Sequence, residues 1–236
     1  MTWTTRRAAW DTETTGIDAD EDHIVTAALV VTGGGQPDLT LTWLINSGKP
    51  SHPKAIETHG ITDEQQVAEG QDPKVALDDL ATKLGEALDW GMSVAGFNVP
   101  FDWTILDRDL ARNGLPSMAE RLSRPLTGLV DGLLLDRTLD KYRPGSRKLE
   151  AVAAHYGVVL KNAHTADADA RAALGVVDRI FGLYPQAGAT SSADLFAAQV
   201  GWYAIWAEGF EAHRRKSEPD FSIAREWPLT PAGSAP

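Results

Sequence analysis

Three early stretches of the chain carry the apolar runs and alternation of strands. Arg7 to Asp11 reads as a short strand, and Ile24 to Thr32 as a second, bounded by Gly33-Gly34-Gly35. In Leu39 to Ile45, Leu39, Leu41, Trp43 and Ile45 share one face, as the two-residue period of a strand requires. Three such runs around a glycine turn predict an antiparallel meander. The period then lengthens. Pro53 to His59 predicts a short helix before Gly60. Asp72-Pro73 forms a good N-cap and N1 pair, opening a helix to about Asp89 with Val75, Leu77, Leu80, Leu84 and Leu88 mostly on one face. Ser93 to Gly96 reads as a short buried strand. Phe101 to Arg112 is helical and closes at Asn113-Gly114. Leu126 to Asp131 is a further strand, followed by a helix from about Gly132 to Lys141. Leu149 to Tyr156 is helical up to Gly157. Ala166 to Phe181 is a long helix that buries Ala170, Ala173, Leu174, Val177 and Ile180.

Three strands followed by alternating helices and strands predict an α/β fold, a mixed central sheet flanked by helices. Gly182 to Ser192, with Pro185, Gly188 and several hydroxyl residues, reads as a linker. Ser191 with Asp194 then caps one extra helix, Ala193 to about Arg214. Its Leu195, Phe196, Val200, Trp202, Tyr203, Ile205, Trp206 and Phe210 make a broad apolar surface. The expectation is that it packs on the rest of the chain. Docking to a polymerase or to a second copy is the alternative. From Ser217 onward the chain reads as irregular. The expected division is residues 1–185 as one domain and 186–236 as linker and helical extension.

Composition narrows the class. A chain of 236 residues is long enough for a substantial core. No run of about 18 apolar residues indicates a membrane span. Met1 to Arg7 is polar and runs straight into a strand, which does not read as a signal peptide. With no cysteine there is neither a disulfide nor a thiolate zinc site, and a cytoplasmic setting is expected. The net charge of -11 argues against coating long duplex nucleic acid, which needs many Lys and Arg contacts to phosphate. It leaves room for an enzyme that grips a short strand end through metal ions.

Three acidic clusters carry the candidate chemistry. In Asp11-Thr12-Glu13-Thr14-Thr15-Gly16, residues two apart on a strand aim Asp11 and Glu13 into one space, with Thr12 pointing away. Carboxylates so close repel unless a cation or a shared proton compensates, and hard divalent ions favour such oxygen donors. The plainer reading is a solvated strand end and a turn. In Gly96-Phe97-Asn98-Val99-Pro100-Phe101-Asp102, Asn98 and Asp102 share one side if a helix starts there. An Asn N-cap with a dipole-favoured Asp explains that segment equally simply. His164-Thr165-Ala166-Asp167-Ala168-Asp169 precedes and enters the long helix, with small residues that leave room for a substrate. Asp167 fits a capped helix start better than a ligand role.

Together, Asp11-Thr12-Glu13-Thr14-Thr15-Gly16, Asn98-x-x-Phe101-Asp102 and His164-x4-Asp169 resemble the three motifs of the DEDDh family of 3′→5′ exonucleases, from about residue 7 to 182. Thr14-Thr15-Gly16 and His59-Gly60-Ile61-Thr62 are similar to the DnaQ-like proofreading ε subunits of bacterial DNA polymerase III. Two positions depart from the pattern: Phe97 stands where a histidine is usual, and Pro100 fills a variable slot.

The resemblance implies a ribonuclease H-like fold and a phosphodiester hydrolase using two Mg²⁺ or Mn²⁺ ions. It assigns Asp11 to bridge both ions, Glu13 and Asp169 to the ion carrying the attacking water, and Asp102 to the other. His164 would take the proton, a task that suits an imidazole near pH 7. Thr14, Thr15, Ile17, His59, Asn98 and Phe101 would contact the terminal nucleotide, Ile17 as a wedge and the aromatic rings by packing. The implied product is a nucleoside 5′-monophosphate. The implied partner is a single-stranded 3′ end, DNA in preference to RNA, with a polymerase subunit as a further candidate partner and no membrane. An exoribonuclease of the same fold and a non-catalytic strand-end-binding module are the alternatives. The second is disfavoured because all four carboxylates and the histidine are present. Within the same reading, the basic stretch Tyr142 to Lys148 is a candidate to steer the strand, or simply a solvated loop.

Overall fold

The computed structural model describes Trp3 and residues 6–233. Most of Met1 to Arg7, and 234–236, lie outside the described residues. Five strands form one sheet in the order β3-β2-β1-β4-β5. They are β1 (Arg7–Thr14), β2 (Ile24–Thr32), β3 (Leu39–Leu44), β4 (Val94–Gly96) and β5 (Leu129–Asp131). The first three pair antiparallel, as the meander predicts, while β4 and β5 lie parallel to β1. The helices are α1 (Pro53–His59), α2 (Asp63–Glu69), α3 (Pro73–Asp89), α4 (Val99–Arg112), α5 (Met118–Arg121), α6 (Gly132–Leu139), α7 (Leu149–His155), α8 (Ala166–Leu183), α9 (Pro185–Ala189) and α10 (Ser192–Arg214). Among the described residues no helix is long and apolar enough to cross a membrane.

The two-residue period of the strands feeds two cores. Ala8, Trp10, Leu29, Val94 and Leu129 face the layer that holds α3 and α4. Their neighbours Ala9, Val30, Ala95 and Val130 face α7 and α8. Both faces of the sheet are therefore covered, which is why the short strands β4 and β5 are wholly buried.

Several expectations are corrected. β1 extends to Thr14 because Glu13 and Thr14 still pair with β2, across a register shift between them. Val75 is 65% exposed, lying off the stripe formed by Leu77, Leu80, Leu84 and Leu88. Two short helices, α2 and α5, were not predicted. Their caps are legible in retrospect: the Thr62 hydroxyl accepts from Gln65 N, and Ser117 with Glu120 forms a full capping box. The predicted linker contains α9, and α8 runs on to Leu183.

The extra helix α10 packs against β5 and α6, burying Leu195, Gln199, Tyr203, Ala207 and Glu211. Val200 and Ile205, counted with its apolar surface, are exposed. After α10 the chain has no helix or strand among the described residues but still packs inward. Ile223, Ala224 and Trp227 are buried, and Thr230 N donates to the Thr104 hydroxyl at 3.0 Å.

The basic loop is also corrected. Arg143 donates to both carboxylate oxygens of Asp136, at 2.9 and 3.0 Å. Arg147 and the Tyr156 hydroxyl reach the same group at 2.5 and 3.0 Å. Asp136 is fully buried, so these arginines tie the loop to α6 and do not project toward a ligand. Removing one member of a buried ion pair strands the other charge, at about 3–5 kcal/mol. Asp136→Ala should therefore lower unfolding free energy by about that amount in urea titration, and Lys148→Ala, on the exposed part of the loop, should change it by under about 0.5 kcal/mol.

Candidate active site

The site lies at the C-terminal ends of β1, β4 and β5, where three helices begin. Asp11 and Glu13 alternate with Thr12, and β1's inward period sets their directions. Asp11 and Glu13 fall on the Ala9 side, toward α8, where Asp169 sits in the first helical turn. Thr12 falls on the Trp10 side, toward α4, and its hydroxyl donates to Asp102 Oδ1 at 2.6 Å. Thr12 thus does not merely point away: it holds the fourth carboxylate, which approaches the strand end from the opposite layer.

The acids sit close enough to disturb one another. Burial first, then the charges of Asp102, Asp169 and Glu13, push Asp11 well above the ordinary carboxylate range. Burial, Asp169 and Asp102 push Glu13 up to about 7. Asp102 is also pushed up to about 7, by burial and by Asp131, against the opposing hydrogen bond from Thr12. Burial raises Asp169 as well, while the backbone N–H of His164, 3.2 Å from Oδ2, works the other way. The other oxygen, Asp169 Oδ1, is buried without a hydrogen-bond partner.

His164 completes the cluster. One ligand-type atom from each of Glu13, His164 and Asp169 lies within 4.8 Å of the others. The His164 backbone is left-handed, with φ 69°, and Asn162 just before it has φ 54°. Such conformations cost of order 1–3 kcal/mol outside glycine and persist only where surroundings enforce them. Here the Asp169 carboxylate takes the His164 N–H, and the ring Nε2 lies 2.9 Å from Glu150 Oε1 at the start of α7. Glu150 was not singled out from the sequence, because only the fold brings it to His164.

Asn98 also has a left-handed backbone, φ 73°, and its side chain makes no cap hydrogen bond. The cap comes from Asp131. Its carboxylate accepts from Asn98 N and Val99 N at 3.1 and 3.2 Å, and from Leu133 N and Leu134 N at 2.9 and 3.3 Å. One buried aspartate therefore caps α4 and α6 together. This replaces the expected Asn N-cap and leaves the Asn98 side chain exposed. Phe101 is half-buried beside it, in the first turn of α4.

The remaining predicted contacts divide. Ile17 is 89% exposed and lines a cleft of about 460 Å³ with Glu13, Thr14, His52, Lys54 and His59. A second cleft, about 220 Å³, lies between Glu13, His59, Trp43, Ile61 and His164. Glu13 and His59 border both. His59 is buried, its Nδ1 accepts from Ile61 N at 3.1 Å, and burial holds its pKa below the usual imidazole value. Its Nε2 is buried without a well-formed hydrogen bond. Thr14 donates to the Gly16 carbonyl at 2.5 Å. Thr15 is a correction: its side chain is fully buried and donates to Asp22 Oδ1 at 2.9 Å, so it fixes the turn and offers a ligand nothing. Gly16 is needed for the same packing, because a Cβ there would run into the Asp22 carboxylate and the His52 ring.

Four carboxylates and a histidine at the strand ends of a mixed sheet define a hydrolase-type site that suits hard cations. A family model, the RNase T exonuclease family, matches residues 9–177. The chain belongs to this exonuclease family, and the resemblance to DEDDh, DnaQ-like 3′→5′ exonucleases is met. The chain is similar to the PolC-type DNA polymerase III of Lacticaseibacillus paracasei, with 31% identity over 163 residues, 69% of this chain and 10% of that one. Its fold is similar to exonuclease I of E. coli in complex with a dT13 oligonucleotide, with a TM-score of 0.63, 19% identity, and 77% and 42% of the two chains covered. Exonuclease I of Methylocaldum szegediense gives a TM-score of 0.62 at 24% identity, covering 89% and 45%. The chain thus spans a tenth of the polymerase and under half of these exonucleases. The sheet and its flanking helices are the ribonuclease H-like fold.

Raised carboxylate pKa values carry a stability consequence. Between about 4.5, the ordinary Glu value, and about 7, the folded Glu13 holds a proton that the unfolded chain has released. The folded state then binds more protons, so this group's contribution falls as pH rises through that window, and the penalty is complete above it. With chelator present, the thermal midpoint should be lower at pH 8 than at pH 6, and less so in Glu13→Gln. At pH 8, Mg²⁺ or Mn²⁺ at a hundredfold excess over Kd should restore about 2.7 kcal/mol. A midpoint indifferent to the ion would rule out the ion's compensating these charges.

Proposed function

We propose that the chain is a divalent-metal-dependent 3′→5′ exonuclease that removes nucleoside 5′-monophosphates from single-stranded ends, DNA in preference to RNA. The observation that carries this is the convergence of Asp11, Glu13, Asp102, Asp169 and His164 in a chain of the exonuclease family. The donor set fits a hard cation: all four acids offer oxygen, their charges are mutually uncompensated, and Asp169 Oδ1 is buried without a partner. These four residues would hold two Mg²⁺ or Mn²⁺ ions, which when bound supply an activated water and stabilise negative charge at phosphorus.

The chain's own residues supply the rest. His164 accepts the proton of the attacking water, and Glu150 at 2.9 Å holds the imidazole in place. Thr12 fixes Asp102, so that the carboxylate from α4 meets those from β1 in one orientation. The terminal nucleotide lies in the cleft beside Ile17 and His59, with Phe101 and the exposed Asn98 next to Asp102. His59 is held by Ile61 N, and packing against a base tolerates any base identity.

The DNA preference is supported by the relatives, one named as a DNA polymerase and one solved with a dT13 oligonucleotide. Proofreading beside a polymerase and free-standing trimming are both compatible with the site. The test is mononucleotide release from matched DNA and RNA single strands labelled at the 3′ end, with Mg²⁺ or Mn²⁺ against chelator. Wild type should release label only with the ion, and faster from DNA. His164→Ala should lose about 10²–10⁴-fold in kcat, the usual worth of a general base. Asp11→Ala should be inactive. Wild-type rates in both variants would refute the mechanism, and faster RNA hydrolysis would move the assignment to an exoribonuclease.

A further inference from the structure

A third cleft, of about 590 Å³, runs between α6 and α10 and shares no lining residue with the two clefts at Glu13. Arg137, Lys141 and Arg147 line one side, and Trp202, Trp206 and Phe210 the other. The Arg137 guanidinium lies 3.8 Å from the Trp206 ring centre. Phe210 stacks on the same ring, with centroids 5.3 Å and planes 15° apart. Ile205 stands at the rim, 70% exposed, and Lys141 is exposed beside it.

Charge and position both mark this cleft. The chain carries a net charge of -11, yet two cations outside the Asp136 ion pairs, Arg137 and Lys141, line this cleft. Asp136, the nearest buried acid, is already bound by Arg143 and Arg147. Asp140 on the same turn pairs with His155 at 3.1 Å. The cleft is also fastened to the active site. Gln199 of α10 donates to the Leu129 carbonyl at 2.9 Å and accepts from Asp131 N at 2.7 Å. Asp131 attracts Arg137 on one side and raises Asp102 on the other.

We propose that this cleft holds the single strand upstream of the nucleotide being removed, with phosphates against Lys141 and Arg137 and bases against the aromatic side. The inference rests on the exonuclease reading, since a strand whose end is in the site must continue across the surface. A single strand presents both features the cleft matches, a regular negative charge and planar apolar faces. An acidic peptide or a second copy of the chain is the competing occupant.

The test compares 3-nucleotide and 15-nucleotide strands. The variant is Lys141→Glu with Ile205→Glu, both at exposed positions, and Lys74→Glu with Val75→Glu, both exposed on α3, makes the same change in total charge as a control. In wild type the 15-mer should have the lower KM. In the double variant that advantage should shrink about tenfold, the scale of one lost phosphate or base contact. In Lys141→Ala, the slope of log binding constant against log salt for the 15-mer should flatten by about 0.7. An undiminished length advantage, or equal KM changes at both lengths, would overturn the proposal. So would a shift in oligomeric state with strand binding retained, which would assign the cleft to a second copy. Displacement by an acidic peptide without competition from the 15-mer would assign it to a peptide. If wild type hydrolyses neither strand, the exonuclease reading fails by itself, and 15-mer binding to the variants still decides the cleft.

Discussion

Mutual repulsion among Asp11, Glu13, Asp102 and Asp169 is the constraint around which this molecule is built. No free chain would hold four carboxylates in one half-buried space, and burial makes each harder to ionise. The fold imposes the arrangement by delivering them on different elements. Two come from one strand, one from the first turn of α4 and one from the first turn of α8. Each helix start presents the positive end of its dipole, which offsets part of the cost for Asp102 and Asp169. The remainder is left for protons or a cation.

Holding the helix starts in register is the work of a second buried acid. Asp131 accepts four backbone N–H groups, two from α4 and two from α6, while its own N–H is taken by Gln199 of α10. Burial raises its pKa, and those donors oppose the rise. Its charge is thus spent on backbone, not on ligand. Asp131 links the strand end, the Asp102 helix and the C-terminal helix in one hydrogen-bonded unit. The extra helix is in this sense structurally continuous with the site, and its aromatic face is oriented by the same contact.

Much of this was legible in the sequence. The apolar run Ile24 to Thr32 and the alternation in Leu39 to Ile45 gave the strands, and the Asp72-Pro73 and Ser191-Asp194 caps located two helix starts. The three acidic motifs could be read because their spacing is local. What escaped was non-local or geometric. Asp131 looks like any strand-end acid until α4 arrives beside it. Glu150 meets His164 only through the packing of α7 against α8. Arg143 and Arg147 were read as free charge because nothing in a sequence shows that Asp136 is buried beneath them. Thr15 was placed in the ligand loop by resemblance alone, and its burial against Asp22 shows a packing role that no local sequence signal carries.

Thr12 shows why the middle residue between the two acids matters. Strand alternation sends Asp11 and Glu13 to the α8 side and forces residue 12 to the α4 side. An apolar residue there would bury well but would leave Asp102, 4% exposed, without its 2.6 Å donor. An ionised acid stripped of a hydrogen bond in a buried place costs more than a neutral one does. The Asp102 carboxylate would then hold its proton more firmly and reach the shared space in a poorer state to bind a cation. The hydroxyl of Thr12 is thus the element that makes one strand and two opposed helical layers act on a single point.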